Sequence, residues 1–263
     1  MANIIAIASA KGGVGKSTTV INLASALHSF SRQVIIADCN LKKPNIGLYL
    51  GYTHTPHSMH STLRGHSKVH EALYLHPSGL TVIPGNLSLD ELEHTYTTRQ
   101  IENVFSDLFS RAEIVLVDTP PDVDDDLRLS LHSCSSVILV TTLDLASVTD
   151  THKTLLVAQN MGKKVLGVVA TKVRESHHDI SLADLQATLG VPVIGAIPYD
   201  DNIRQAQTIR HPAVYVHPES AASVAYKKLA ANLIGQQYEP ALKSGSRNFV
   251  SYILARIGII QGK

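Results

Sequence analysis

The chain has 263 residues, 44% of them hydrophobic, enough for one large core, and its net charge of +1 supplies no bulk attraction to nucleic acid. Its two cysteines, Cys39 and Cys134, stand far apart and in no metal-ligand spacing, so neither a disulfide framework nor a zinc site is implied and a reducing compartment fits. No apolar run is long enough to span a membrane, and the first residues read as a core strand rather than a signal peptide.

In chain order, short β-branched runs recur at 3–9, 33–38, 80–84, 113–118, 136–142, 165–171 and 193–197, with helix-like stretches between them. Their continuous apolar character predicts parallel strands covered on both faces. Strand–helix alternation predicts right-handed crossovers and an α/β fold, a doubly wound, mainly parallel sheet with helices on both faces. Ligands in such folds sit at the carboxyl ends of the strands. Lys16, Asp38, Asp118, Asp144, Thr171 and Asp200 follow those ends. The 14 histidines are scattered, and the adjacent pair His177-His178 reads as a polar loop. After 227–238, Glu239-Pro240 and then Lys243-Ser244-Gly245-Ser246 break the helical pattern. The expected organisation is a globular domain over 1–237, a linker over 238–248 and a separate helix over 249–263.

The first strand runs into "SAKGGVGKSTT", residues 9–19, and then into an apolar-patterned helix. Gly12, Gly13 and Gly15 let backbone N–H groups approach an anion, and the following helix adds its N-terminal dipole. Lys16 is placed to bond β- and γ-phosphates and Ser17 to hold Mg²⁺, with Val14 and Thr18 completing the loop. The ordinary phosphate-loop pattern needs glycine at position 10, where this chain has Ala10 followed by a second lysine, Lys11.

"KGGVGKST" resembles the deviant Walker A motif of the MinD/ParA family of P-loop ATPases. The likeness continues through "VIIADCNLKKPNIGLYLG" (switch I), "IVLVDTPPDVDDD" (Walker B and switch II), "VTTLDLASVTDTHKT" and "IPYDDNIRQAQTIRHPAVYVHPESAASVAYKKLAANLIG", and is closest to the MinD branch. It implies an ATP/ADP-binding, Mg²⁺-dependent P-loop ATPase that forms an ATP-sandwich homodimer, in which Lys11 reaches the partner's nucleotide. An ammonium beside Lys16 fits that role, because the other subunit's polyphosphate neutralises it. The resemblance also implies an unidentified protein regulator and a cytoplasmic protein peripheral to the inner face of the cell membrane.

Asp38 and Asp118 end apolar strands and are expected near the metal, Asp118 directly or through a water and Asp38 behind it. The family commonly carries a second switch I aspartate that positions the attacking water. Asn40 stands there instead, able to orient a water but not to take its proton, so slow hydrolysis is expected. Asp150 matches a family position near the signature lysine; the plain alternative is a helix-surface residue. Asp122, Asp124, Asp125 and Asp126 read as a solvated loop and helix N-terminus. Thr171-Lys172 replaces the Asn-Arg that reads adenine in relatives, and Pro198, Tyr199 and Asp200 lie where relatives wrap the base.

In the last segment, Phe249, Val250, Ile253, Leu254, Ile257 and Ile260 fall within one arc at about 100° per residue, flanked by Arg247 and Arg256. That pattern suits a helix lying in a membrane interface, and packing back on the domain is the alternative. Other readings are a DNA-partition ATPase, a regulator of flagella or pili placement, an iron–sulfur carrier and a tyrosine autokinase. The first would want basic clusters, where only Lys42-Lys43, Lys163-Lys164 and Lys227-Lys228 occur; the third would want cluster cysteines; the last would want a tyrosine-rich tail.

Overall fold

The computed structural model describes residues 3–88, 94–174 and 179–240. The His177-His178 pair and the segment 249–263 lie outside the described residues.

Eight strands form one sheet: β1 (Asn3–Ala8), β2 (Val34–Asp38), β3 (Tyr74–Leu75), β4 (Thr81–Ile83), β5 (Ile114–Asp118), β6 (Ser136–Thr141), β7 (Lys164–Val173) and β8 (Val193–Pro198). Their order is β3-β4-β2-β5-β1-β6-β7-β8, and all neighbours are parallel except β3 and β4. The seven expected strands are all present. The eighth, β3, is a two-residue edge strand pairing Tyr74 with Val82 and Leu75 with Thr81, too short to leave a periodic signal.

The described helices are α1 (Lys16–Ser29), α2 (Ile46–Leu50), α3 (Met59–Leu63), α4 (Thr98–Leu108), α5 (Asp125–His132), α6 (Leu145–Asn160), α7 (Leu182–Leu189), α8 (Asp201–Thr208), α9 (Ala213–Val216) and α10 (Ala221–Leu233). Side-chain oxygens start many of them: Thr97, Asp124, Asp144, Ser181, Asp200 and Ser220 each accept a backbone N–H from the first turn of the helix that follows. In α4 the buried positions are Ile101, Val104, Phe105 and Leu108, one face of a helix.

The strands alternate between two cores. Ile4, Ala6 and Ala8 of β1 join Ile35, Val115 and Val137 on one face, packed by α4, α5, α6 and α7. Ile5 and Ile7 join Ile36, Leu116 and Ile138 on the other, packed by α1 and α10. Both faces being covered is why the central strands read as unbroken apolar runs. The order places β2, β5 and β1 side by side, with Asp38 opposite Asp118 and Asp118 opposite Ile7. The two carboxylates and the loop leaving β1 therefore meet at one end of the sheet.

Candidate nucleotide site

The loop between β1 and α1 is shaped by left-handed glycines, Gly13 at φ 77° and Gly15 at φ 98°, conformations that cost other residues strain. Three side chains hold its carbonyls. Lys16 Nζ donates to Lys11 O at 3.1 Å, Thr171 Oγ1 to Val14 O at 2.5 Å, and Lys172 Nζ to Gly13 O at 2.7 Å. Thr171 also reaches Thr141 O at 3.1 Å, so its hydroxyl is spent bracing the phosphate loop against β6. Lys172 itself sits at φ 53°.

The loop opens into a cavity of about 640 Å³, a size suited to one small-molecule ligand. Gly12, Gly13, Gly15, Lys16, Ser17 and Thr18 form its floor. Thr171, Lys172, Pro198, Tyr199 and Asp200 form one wall. Val14 turns into the core instead, at 2% exposure. The Tyr199 ring is covered by the Arg174 guanidinium at 3.9 Å. The Asp200 carboxylate accepts from Asn202 N at 3.0 Å and from Ala222 N at 3.0 Å, so it joins α8 to α10 rather than pointing at a ligand.

From the floor, Ser17 Oγ donates to Asp118 Oδ2 at 2.6 Å. Asp38 Oδ1 accepts from Asn40 N at 3.2 Å and Oδ2 from Ile46 N at 3.1 Å. Burial pushes both carboxyls above their usual range; Asp38 also faces the charge of Asp118, while Ser17 and Lys16 partly offset the rise at Asp118, which reaches about 6. Lys16 is lowered to about 8 by burial, partly offset by Asp118 and Asp122. Two carboxylates pressed together beside one hydroxyl suit a divalent cation. Asp118 Oδ1 and Asn40 Oδ1 are buried with no hydrogen-bond partner among the described residues, so they retain lone pairs for a cation or its water. The residues fit Mg²⁺: Ser17 and Asp118 would hold it, with Asp38 behind, and it would supply charge neutralisation for the phosphates.

Lys11 does not point into this cavity. Its ammonium donates to Asp144 Oδ1 at 2.9 Å and to Ser147 Oγ at 2.8 Å, at the start of α6. Asp150, the residue placed near it by resemblance, instead pairs with Lys153 at 2.9 Å. Sequence reasoning also passed over Tyr49, Lys43, Arg204 and Gln207, which line the cavity; Gln207 Nε2 donates to Thr18 Oγ1 at 3.1 Å. The spacing of Arg204 and Gln207, one turn apart just after the last strand, was the available signal. Asp124 caps α5, and Asp126 binds Lys42 at 2.5 Å, joining the loop after β2 to the helix after β5. Cys39 and Cys134 are both buried, and burial raises both thiols, Cys134 to about 12.

A parallel sheet, a glycine-shaped loop running into α1, and a lysine and hydroxyl facing a strand-end carboxylate define a P-loop nucleoside triphosphatase. The ParA family model, described as "NUBPL iron-transfer P-loop NTPase", matches residues 1–234. An uncharacterized ATP-binding protein of Methanocaldococcus jannaschii is 31% identical over 251 residues, covering 95% of each chain. The cell division ATPase MinD of Pyrococcus furiosus superposes with a TM-score of 0.84 at 30% identity, over 89% of this chain and 99% of that one. MinD of Pyrococcus horikoshii, solved with Mg-ADP, gives 0.83 at 30% identity, over 89% of this chain and 96% of that one. The chain belongs to the ParA family of P-loop NTPases, among ATPases of the MinD/ParA type.

Proposed function

We propose that this chain is a slow, MinD-like ATPase whose ATP-bound form is a homodimer that binds membrane reversibly and positions the division site or another cellular assembly. The observation that carries this reading is the second lysine. Lys11 stands at the mouth of the phosphate loop, yet its side chain lies outside its own cavity and remains 36% exposed. A cation so placed can reach a phosphate presented by a second copy. Lys16, Ser17, Asp38 and Asp118 then serve nucleotide and Mg²⁺ within each chain, and Asn40 orients water. Asn40 can orient water but takes no proton from it, which fits slow intrinsic turnover and leaves room for stimulation by a regulator.

The membrane arm of the proposal rests on residues 249–263, joined by a linker to the ATPase domain 1–237. One short amphipathic helix binds weakly, and two on a dimer gain avidity of roughly 10²–10⁴. The protein would then be cytoplasmic and peripheral at the inner face of the cell membrane. An iron–sulfur role is disfavoured by the buried, protonated thiols of Cys39 and Cys134, which offer no surface ligand to a cluster shared between subunits. Pelleting with anionic liposomes tests the reading. The full chain should sediment with Mg-ATP and not with ADP, and a chain ending at Gly245 should stay in the supernatant with either nucleotide. Undiminished sedimentation of the shortened chain sinks the membrane arm.

A further inference from the structure

Asn40 lacks the basicity expected of a water-activating group, so its neighbours in the cavity matter. The loop after β2 is held at both ends by one carboxylate, Asp38, through Asn40 N and Ile46 N. Within that arc the paired lysines separate. Lys42 leaves for Asp126, and Lys43 stays at the cavity, its N–H closing a turn onto Asn40 O at 3.1 Å. Ile46 N being fixed also fixes the start of α2 and places Tyr49, one turn on, at the cavity wall. Tyr49 is half-buried, its ring packed on the core face shared with α1, and its hydroxyl makes no hydrogen bond among the described residues. Asn40, 4% exposed, likewise has no partner for Oδ1 among the described residues. Asn40 and Tyr49 thus line the same cavity as Lys16 and Ser17, the first with a buried amide oxygen and the second with a hydroxyl that no side chain among the described residues engages.

We propose that Tyr49 is a catalytic residue of ATP hydrolysis in this chain, its hydroxyl and the Asn40 amide oxygen together holding the attacking water. The water donates one hydrogen to Asn40 Oδ1 and the other to Tyr49 Oη, which leaves a lone pair facing the γ-phosphorus. The Tyr49 proton donates to a γ-phosphoryl oxygen. The new bond forms between the water oxygen and phosphorus as the β,γ-bridging P–O bond breaks. That electron pair departs on ADP, and the water proton passes to the released phosphate, which leaves as dihydrogen phosphate. Neither Asn40 nor Tyr49 ends the cycle with an altered proton count. Positioning and charge placement suffice for a loose phosphoryl-transfer transition state, so no carboxylate is needed.

The inference rests on the ATPase part of the proposed function and not on dimers or membrane. Tyr49→Phe keeps the ring and removes only the hydroxyl. It should lower kcat about 10-fold or more, the scale of one transition-state hydrogen bond, while KM for Mg-ATP and affinity for ADP stay within about twofold. In an Asn40→Ala background the same change should cost less than about twofold, because the water site is already lost. A readout without turnover is calorimetric binding of Mg-ADP with aluminium fluoride. Tyr49→Phe should bind this mimic at least about fivefold more weakly than wild type while binding Mg-ADP equally. Equal kcat and equal aluminium fluoride binding in the two proteins would overturn the proposal. So would a parallel loss of ADP binding, which would mark Tyr49 as structural. A wild type that binds nucleotide but stays monomeric would contradict the dimer reading and leave this comparison intact.

Discussion

Lys11 and Asp144 are joined within one chain, Nζ to Oδ1 at 2.9 Å, although 133 residues separate them. β1 and β6 are neighbours in the sheet, so the loop that follows β1 lies beside the turn that opens α6. Asp144 is also the cap of that helix, accepting from Ser147 N at 3.0 Å, and Thr142 and Ser147 hydroxyls fill its second oxygen at 2.6 Å each. Burial works to raise its pKa, and the donors Ser147, Thr142 and Lys11 outweigh that, holding the carboxyl far below its usual range. The lysine assigned to a partner's nucleotide is therefore already occupied at home.

Releasing it should favour association. The pair is half exposed, so its strength is about 0.5–1 kcal/mol. Asp144→Asn keeps a cap and removes the charge. It should tighten ATP-dependent dimerisation about 2–5-fold in sedimentation equilibrium, with ADP-bound protein unchanged. Weaker dimerisation in this variant would show that Asp144 supports the interface instead of competing with it.

Thr171 should act on the phosphate loop rather than on the base. Thr171→Val removes the one hydroxyl proton, held mainly by Val14 O at 2.5 Å and shared with Thr141 O at 3.1 Å, and leaves the buried loop carbonyl short of a donor. A loss of about 1–2 kcal/mol is expected, seen as roughly 5–30-fold weaker ADP binding in calorimetry. The loss should be equal for ADP and GDP. A selective loss of ADP alone would restore a base-reading role.

Asp200 should carry a pH-dependent part of stability. Burial raises its pKa, and Ala222, Asn202 and Ser220 together outweigh that, so the folded value lies below the unfolded one. A depressed carboxyl contributes stability that is present above the unfolded value of about 4 and disappears as pH falls through the folded value. Asp200→Asn should therefore be less stable than wild type at pH 7, with the gap closing below about pH 4. Urea unfolding at both pH values measures this, and a gap that stays constant with pH would contradict it.

What the sequence made legible was what is local. Unbroken apolar runs marked the seven expected strands, and the glycine spacing marked the loop. Strand-end carboxylates marked Asp38 and Asp118, which the sheet sets in register. β3 escaped because two residues carry no period. Asp144 was noted only as a polar strand-end residue, because a helix cap and an ion-pair partner look alike until β1 and β6 are known to adjoin. Tyr49 carries no signal of its own in the stretch after β2. Only the tie from Asp38 to Ile46 N shows that α2 begins where its first turn can face the nucleotide cavity.

The central claim is that triphosphate joins two copies because each Lys11 leaves its own Asp144 for the other's nucleotide. Light scattering behind size exclusion, with Mg²⁺ and a saturating non-hydrolysable ATP analogue, tests it most directly. Wild type should elute at twice the monomer mass, and Lys11→Ala should remain monomeric while still binding the analogue. A wild type that stays monomeric, or a Lys11→Ala variant that dimerises as well as wild type, would contradict the account.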